Sequence, residues 1–436
     1  MILMIEIKGL QNLVKYSYHP PGDKSISHRV AILGALSNDW LNITNFSQGK
    51  DCFTTISCLQ EIGIPIEVDG TTVKIYPWKK LKNKVNLDCG NSGTTARLLP
   101  SILGGLNIEG VLFGDSSLSQ RPMERVITPL KKLGGILEGT DGKLPIKVER
   151  GWRLRGEKLE LQIPSAQIKS AILLAGLFAS NPVIVKESKV TRNHTEIMLK
   201  EFGINLEVKE REITIYPGKL VSPREYHVVG DFSSAAYFIA LGLLSKEEII
   251  EIRDVGLNPT RTAFLEVITK MGAKIQIINE KVIHGEKMGD IKVFPSTLKG
   301  IEVSEDLIPN IIDELPLLGV LASFAQGTTK VVKAGELRVK ESDRIKGTVE
   351  NLKKFGVNIM ELEDGFIVQG GNKLRGREIY CHKDHRIVMA MTVAALFSEG
   401  NTKILDSQWV NISNAPFFKE IKKIAPNSII DLSVRD

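Results

Sequence analysis

The sequence predicts an α/β fold made of six repeats of about 70 residues, arranged as two lobes of three repeats. Three observations support this prediction. A short segment that ends in glycine recurs at nearly constant spacing, a β-branched segment follows it, and an apolar segment of helical length precedes it. A unit of this size is too small to bury both faces of a sheet well by itself, so the repeats are expected to pack together.

The recurring segment marks the predicted end of one helix in each repeat, because glycine accepts the left-handed backbone of a helix C-terminus. Successive copies lie 71, 69, 69, 84 and 69 residues apart, and the sixth copy is degenerate. The copies are Leu59–Gly63, Leu130–Gly134, Leu199–Gly203, Ile268–Gly272, Leu352–Gly356 and Ile421–Ala425. A solenoid is the weaker alternative, since its repeats are usually shorter, roughly 20–50 residues.

A β-hairpin is predicted after each of these helices. In the first repeat, residues 64–68 and 72–76 flank the turn Asp69-Gly70, and Asp364-Gly365 is the corresponding turn of the fifth repeat. The other helix of each repeat is predicted in the apolar segments 30–36, 95–103, 170–178, 234–244, 315–324 and 387–397. A repeat is therefore helix, strand, helix and hairpin.

The lobe boundaries are predicted at two turn-rich segments, Pro20–Gly22 and Val229–Asp231, each of which precedes a first helix. Residues 21–230 would form one lobe. Residues 1–20 would join residues 231–436 in the other lobe.

Composition narrows the class of protein. With 436 residues, 42% of them hydrophobic and 25% charged, the chain is typical of a folded globular protein. The net charge of +6 is spread along the chain, which argues against nucleic-acid binding and only weakly favours anionic substrates. Four cysteines without metal-ligand spacing indicate reduced thiols, and no apolar run reaches membrane-spanning length, so a cytoplasmic protein is expected.

The segment Pro20–Arg29 combines features of an anion-binding helix start. Unpaired backbone N–H groups at a helix N-terminus attract anions, and Lys24 and Arg29 add positive charge. Ser25 and Ser27 are the predicted N-cap residues. The segment is not a nucleotide P-loop, because Asp23 precedes the lysine where that motif has glycine. An ordinary turn and capped helix is the alternative.

Similar residues recur at other predicted helix starts. Gly90 and Gly93 form a tight turn before Arg97, Arg121 lies on a loop stiffened by proline, and Ser165 and Gln167 precede an apolar helix. In the second half, Asp313 lies among apolar residues, where a carboxylate is a candidate general base with a raised pKa. Lys340–Arg344 and His382–Arg386 interleave acids and cations. Closing the two lobes around a multiply anionic ligand would exclude water.

These motifs, taken together and in order, resemble the 5-enolpyruvylshikimate-3-phosphate (EPSP) synthase family of enolpyruvyl transferases. The residues concerned are Pro21–Arg29, Gly90–Arg97, Gln120–Met123, Lys340–Arg344 and Asp384–Arg386. The resemblance implies a two-lobed inside-out α/β barrel with three βαβαββ units per lobe. It also implies transfer of the enolpyruvyl group of phosphoenolpyruvate to the 5-hydroxyl of shikimate 3-phosphate, with release of phosphate, in the shikimate pathway to chorismate and the aromatic amino acids. No metal or cofactor, nucleic acid or membrane is implied, and a monomer is expected.

The resemblance also implies roles for individual residues. Shikimate 3-phosphate would be bound by Lys24, Ser25, Arg29, Ser165, Gln167, Lys340 and the backbone of Ala166. Arg192 would take over phosphate binding. Phosphoenolpyruvate would be bound by Lys24, Gly93, Arg121, Gln167, Arg344 and Arg386. Asp313 would accept the 5-hydroxyl proton, and Glu341, or else Lys24, would protonate the methylene carbon. The lobe 21–230 would thus carry mainly the shikimate 3-phosphate site, and the other lobe the catalytic acids and the carboxylate-binding arginines.

Some positions depart from the family pattern. Glu336 stands where some members have asparagine, and a lysine common in the last repeat is missing between Val410 and Phe418. The nearest alternative is the related UDP-N-acetylglucosamine enolpyruvyl transferase, which commonly has a cysteine in the loop that corresponds to Asp115–Met123, where this chain has none. A nucleic-acid-binding repeat protein and a non-catalytic repeat scaffold are the alternatives from other classes.

Overall fold

The computed structural model of the protein describes residues 2–10 and 12–435. The chain divides into two compact units. Unit 1 consists of Met1–Pro21, Val229–Lys281 and Lys287–Asp436, and unit 2 consists of Gly22–Val228 and Val282–Glu286. The chain changes unit between Pro21 and Gly22, inside the first turn-rich segment, and between Val228 and Val229, at the edge of the second. The short segment Val282–Glu286, the tip of a long hairpin, belongs to unit 2 without any signal in the sequence.

Both units are built from the predicted repeat. Two strands come before the first repeat, β1 (Ile2–Lys8) and β2 (Tyr16–Tyr18). Unit 2 then contains α1 (Lys24–Leu36), β3 (Leu41–Thr44), α2 (Lys50–Ile62), β4 (Ile66–Asp69), β5 (Thr72–Ile75), β6 (Lys84–Asp88), α3 (Gly93–Gly105), β7 (Glu109–Phe113), α4 (Glu124–Lys132), β8 (Leu137–Thr140), β9 (Lys143–Val148), β10 (Lys158–Leu161), α5 (Ala166–Gly176), β11 (Val183–Glu187), α6 (His194–Glu201), β12 (Leu206–Lys209), β13 (Glu212–Ile215) and β14 (Glu225–His227).

The remaining elements follow in unit 1, except for the hairpin tip named above. They are α7 (Phe232–Leu244), β15 (Ile250–Gly256), α8 (Ala263–Lys270), β16 (Lys274–Ile283), β17 (Glu286–Phe294), α9 (Ile308–Ile311), α10 (Leu315–Phe324), β18 (Thr328–Val331), α11 (Arg344–Lys354), β19 (Asn358–Leu362), β20 (Gly365–Gln369), β21 (Glu378–Tyr380), α12 (His385–Leu396), β22 (Asn401–Leu405), α13 (Phe417–Ile424) and β23 (Ile429–Arg435). Short 3₁₀ segments precede α4, α11 and α13.

The glycine at the end of each recurring segment has the predicted left-handed backbone. Its φ is +112° at Gly63, +102° at Gly134, +78° at Gly203, +98° at Gly272 and +88° at Gly356. In the degenerate sixth copy, Ala425 instead has φ −131°. Among the six copies, the one without glycine is thus the one whose backbone does not turn left-handed, as expected from the cost of positive φ for residues other than glycine.

Within the described residues, each repeat contributes to one small sheet. In the second repeat, β6 pairs parallel to β7, and the hairpin β8–β9 extends the sheet antiparallel. The strand before each crossing pairs within its own unit, β2 with β15 in unit 1 and β14 with β3 in unit 2. In the last sheet, β1 lies antiparallel between β22 and β23. The N-terminal strand thus supplies the hairpin strand that the sixth repeat lacks.

The first helix of each repeat is apolar on all sides and is buried accordingly. Every residue of α12 is buried, and α7 and α10 are nearly as enclosed. In unit 1, α12 packs against both α7 and α10, and in unit 2 α3 packs against α5. These helices fix the N-termini at which the predicted site residues lie. No helix of the described residues has both the length and the hydrophobicity needed to cross a bilayer.

The N-cap of α1 differs from the prediction. The helix begins at Lys24, and the carboxylate of Asp23 accepts the N–H of Ile26 at 2.9 Å. Ser25 and Ser27 lie inside the helix, so their prediction as caps is wrong. Aspartate is about as favourable as serine at the N-cap position, so Asp23 can cap the helix in place of the serines. The hydroxyl of Ser165, by contrast, caps α5 and accepts the N–H of Ile168 at 3.5 Å.

Candidate active site

In unit 2, Arg29 is held by three neighbouring groups. Its Nε donates to Thr195 Oγ1 at 2.7 Å, its Nη2 to Ser170 Oγ at 2.8 Å and its Nη1 to the Ser25 carbonyl at 3.0 Å. Burial lowers the pKa of Arg29 to about 10, and the nearby charge of Arg192 acts in the same direction. The guanidinium remains charged at neutral pH. Two cations this close favour an anion beside them.

Lys24, at the start of α1, faces a carboxylate from the next helix. Its ammonium lies 2.5 Å from Asp51 Oδ2, and both side chains are largely buried. The pairing orients the ammonium. Asp51 is therefore a positioning group that the sequence analysis did not identify.

A second group of cations surrounds the start of α3. Arg97 Nη1 donates to Gln167 Oε1 at 2.7 Å, and Gln167 in turn donates from Nε2 to Thr94 Oγ1 at 3.1 Å. Arg121 Nη2 donates to Asn91 Oδ1 at 2.8 Å, so the loop before the helix holds this guanidinium. Both arginines are almost fully buried. Gly93 lies between them.

We expect Gly93→Ala to disturb this group directly. A methyl group at Gly93 would lie 2.9 Å from Arg97 Nη1 and 3.1 Å from Arg121 Nη1, closer than carbon atoms normally approach. The two guanidiniums must then shift away from the helix start. If Gly93 and Arg121 bind phosphoenolpyruvate, as the family resemblance implies, the Michaelis constant for phosphoenolpyruvate should rise, by about tenfold or more if one strong hydrogen bond is lost. Binding of shikimate 3-phosphate, measured by calorimetry without the second substrate, serves as the internal control and should change little.

In unit 1, the guanidinium of Arg344 joins three carboxylates. Its Nε donates to Asp384 Oδ2 at 2.8 Å, its Nη1 to Asp313 Oδ1 at 3.0 Å and its Nη2 to Glu341 Oε2 at 2.6 Å. Arg344 is 1% exposed and Asp384 is fully buried, whereas Asp313 and Glu341 remain 17% and 16% exposed. Burial opposes the charge of Arg344, but the three carboxylates prevail and raise its pKa.

This contact gives Asp313 a partner that its neighbours in the sequence do not reveal. The residues beside it in the sequence are apolar, but its side chain lies against a guanidinium. An opposite charge at this distance favours the ionised carboxylate, the form that a general base requires. The partner lies 31 residues further along the chain and so gave no local signal.

Lys340 and Arg386 complete this cluster. Burial lowers the pKa of Lys340, and Asp313 and Glu336 partly oppose that effect through their charges. Arg386 is buried at the start of α12, where burial again opposes its charge but Asp313 is among the groups that raise its pKa. Asp313 is thus close enough to influence both cations.

The structure therefore gathers the predicted residues into one cluster in each unit. The unit 2 cluster consists of Lys24, Ser25, Arg29, Gly93, Arg121, Ser165, Ala166, Gln167 and Arg192, all at or just before the N-termini of α1, α3, α4, α5 and α6. The unit 1 cluster consists of Asp313, Lys340, Glu341, Arg344 and Arg386. In the unit 2 cluster, Ser165 serves as a helix cap, and the Ala166 carbonyl accepts the Ser170 hydroxyl at 2.6 Å.

Two supporting residues of the unit 1 cluster were missed. Asp384 holds Arg344 and also accepts the backbone N–H of Arg386 at 2.8 Å. Arg338 ties the segment before Lys340 to the β19–β20 turn, because it donates to Asp343 and to the carbonyls of Leu362 and Glu363, each at 2.7 Å. Asp384 lies inside a charged motif and Arg338 lies just before one, but Arg344 and the carbonyls of Leu362 and Glu363, with which they bond, are distant in sequence.

The chain is similar over most of its length to one family of known proteins. The model of the family described as EPSP synthase (3-phosphoshikimate 1-carboxyvinyltransferase) matches residues 11–421. A 3-phosphoshikimate 1-carboxyvinyltransferase of Thermoanaerobacter sp. (strain X514) is 44% identical over 417 residues, which cover 95% of this chain and 98% of the relative. The enzyme of the same name from Oceanobacillus iheyensis is 40% identical and covers 93% and 95%.

Solved structures extend the comparison to the fold. An EPSP synthase of Acinetobacter baumannii superposes with a TM-score of 0.88 and 36% identity, with full coverage of both chains. The enolpyruvyl transferase NikO of Streptomyces tendae shares the fold, with a TM-score of 0.80 at 16% identity and coverage of 99% and 98%. The α/β fold of repeats predicted from the sequence is thereby confirmed, and the chain belongs to the EPSP synthase family.

Proposed function

We infer that this protein is a transferase that moves the enolpyruvyl group of phosphoenolpyruvate to the 5-hydroxyl of shikimate 3-phosphate and releases phosphate. The reaction is a step of the shikimate pathway, which leads to chorismate and the aromatic amino acids. The observation that carries this inference is the Arg344 guanidinium, which holds Asp313 and Glu341 within 3.0 Å in a chain of this family. A general base and a general acid that are held by one guanidinium suit a reaction in which an addition step is followed by an elimination step.

Phosphate release tests the inference. The purified protein should release phosphate from phosphoenolpyruvate when shikimate 3-phosphate is present and should release none beyond background when it is left out. UDP-N-acetylglucosamine in place of shikimate 3-phosphate tests the related enzyme class. Release that depends on the UDP-sugar, or that needs no second substrate, would contradict the proposal.

The cations of the unit 2 cluster are proposed to bind shikimate 3-phosphate. Within the described residues, Arg29 uses three of its five N–H groups, and the other two are proposed to bind the ligand. Arg192, close enough to lower the pKa of Arg29, adds charge for the phosphate group. Ser25, Ser165, Gln167 and the backbone of Ala166 would supply the weaker polar contacts, and Lys340 is proposed as a further ligand.

Phosphoenolpyruvate is proposed to bind to the buried arginines and to Lys24. Arg121 lies beside Gly93, as does Arg97, which donates to Gln167. Arg121 would bind the phosphate group of phosphoenolpyruvate. Arg344 and Arg386 would bind the carboxylate, for which the planar guanidinium is well shaped. Arg344 keeps two N–H groups beyond its three bonds to carboxylates.

The chemistry is proposed to divide between Asp313 and Glu341. Asp313 accepts the proton of the 5-hydroxyl group as the hydroxyl oxygen bonds to the central carbon of phosphoenolpyruvate. Glu341 donates a proton to the methylene carbon. The resulting tetrahedral intermediate has a methyl group. Loss of a proton from that methyl group, with departure of phosphate, forms the enolpyruvyl ether.

We also propose that the protein acts as a monomer in the cytoplasm. All the proposed ligands of both substrates come from one chain, and the four cysteines are buried and free, which suits a reducing compartment. Light scattering coupled to gel filtration measures the mass directly. A mass of twice that of the chain would contradict the monomer.

A further inference from the structure

His28 lies in the segment that carries Lys24 and Arg29, yet the proposed reaction gives it no role. Its side chain is fully buried. Nδ1 lies 2.7 Å from Thr55 Oγ1 on α2, whereas the buried Nε2 has no hydrogen-bond partner among the described residues. Buried polar atoms usually find partners, so an orphaned nitrogen calls for an explanation.

The contact with Thr55 is the start of a chain of hydroxyl groups. Thr55 Oγ1 lies 2.7 Å from Thr95 Oγ1, and Thr95 Oγ1 donates to Ser92 Oγ at 2.7 Å. A hydroxyl has one hydrogen to donate. Because Thr95 donates to Ser92, Thr55 must donate to Thr95, and His28 must donate from Nδ1 to Thr55.

This direction explains the orphaned nitrogen. Burial lowers the pKa of His28 well below its ordinary value, and the charges of Lys24 and Arg29 lower it further. The imidazole is therefore neutral and carries one hydrogen. With that hydrogen on Nδ1, Nε2 is a bare lone pair, which costs less to bury than an unpaired N–H.

The chain ends at the start of α3. Ser92 is the N-cap of this helix, and its hydroxyl oxygen accepts the N–H of Thr95 at 3.3 Å as well as the Thr95 hydroxyl. The next residue is Gly93, where even a methyl group would collide with Arg97 and Arg121. A helix start with so little free space around it is sensitive to small displacements.

We propose that His28 is a positioning residue for the binding of phosphoenolpyruvate. Its Nδ1–H begins a chain of hydrogen-bond donors that runs through Thr55 and Thr95 to Ser92. This chain fixes the position of Ser92 and therefore that of Gly93 between the guanidiniums of Arg97 and Arg121. The proposal rests on the proposed assignment of Gly93 and Arg121 to phosphoenolpyruvate. His28 touches neither substrate in this account. It joins the start of α1, where Lys24 is proposed to bind both substrates, to the start of α3, which is proposed to bind phosphoenolpyruvate.

Two pairs of variants test the proposal. Asparagine places an amide N–H where the histidine has Nδ1–H, and leucine has the same shape without a donor, so His28→Asn and His28→Leu differ mainly in the hydrogen bond. Thr55→Ser and Thr55→Val form the second pair. The measurements are steady-state kinetics for phosphoenolpyruvate, calorimetric binding of shikimate 3-phosphate alone, and thermal unfolding of each variant.

We expect His28→Leu and Thr55→Val to raise the Michaelis constant for phosphoenolpyruvate about tenfold, the equivalent of about 1.4 kcal/mol. Binding of shikimate 3-phosphate should stay within about twofold, and His28→Asn and Thr55→Ser should stay near wild type. Equal effects of asparagine and leucine, equal losses for both substrates, or a wild-type constant in Thr55→Val would each overturn the proposal. Wild-type protein without turnover would overturn the proposed function instead. If His28→Leu fails to fold, the comparison of Thr55→Ser with Thr55→Val tests the proposal by itself.

Discussion

Replacing Asp313 by alanine should lower turnover by about 10²–10⁴-fold, the usual contribution of a well-placed general base. Substrate binding should be largely preserved, because the carboxylate is proposed to act on the proton of the 5-hydroxyl. The fold should survive the change as well. Arg344 keeps Asp384 and Glu341 as partners when Asp313 is removed, so its buried charge remains compensated. Turnover and Michaelis constants from phosphate release are the measurements.

Asp313→Asn separates catalysis from support of Arg344. Asparagine keeps an oxygen that can accept the Nη1 hydrogen of Arg344, but it cannot take up a proton. If Asp313 is the base, asparagine and alanine should lose turnover about equally. Retention of most activity by the asparagine variant would mean that Asp313 only holds Arg344. Asp306→Ala, at an exposed acid of the same unit, is the matched control and should behave as wild type.

The elements that the sequence predicts well are those whose signal is local. The buried helices α7, α10 and α12 follow from apolar segments, and the helix ends follow from glycines with positive φ. The place of β1 between β22 and β23 could not be predicted in this way, because its partners lie about 400 positions away and any β-branched strand would satisfy the local pattern.

The candidate site shows the same division between local and distant information. Arg344 and Asp384 both lie in short segments rich in acids and cations, but the sequence gives a role only to Arg344. Their bonding to each other across 40 positions is a product of the fold. The cap of α1 shows the limit at short range, because Asp23 and Ser25 both suit an N-cap and only the backbone decides between them.

A different kind of experiment is needed for Glu341, whose proposed task is to protonate carbon. Arg344 Nη2 lies 2.6 Å from its carboxylate, and this charge favours the ionised form, which has no proton to donate. Bound substrate anions would offset the surrounding cations. We therefore expect Glu341 to become a proton donor only when both substrates are bound.

Glu341→Gln keeps an oxygen for Arg344 but cannot exchange a proton with carbon. In D₂O with both substrates, the wild-type protein should exchange the methylene hydrogens of phosphoenolpyruvate, because reversible protonation forms a methyl group that can lose any of its hydrogens. The variant should slow both this exchange and turnover, by about 10²–10⁴-fold for a positioned acid. NMR of the methylene signal follows the exchange, and Glu350→Gln, at an exposed acid of α11, is the matched control. Exchange at the wild-type rate in Glu341→Gln would exclude Glu341 as the acid and leave Lys24, whose ammonium is oriented by Asp51, as the donor to carbon.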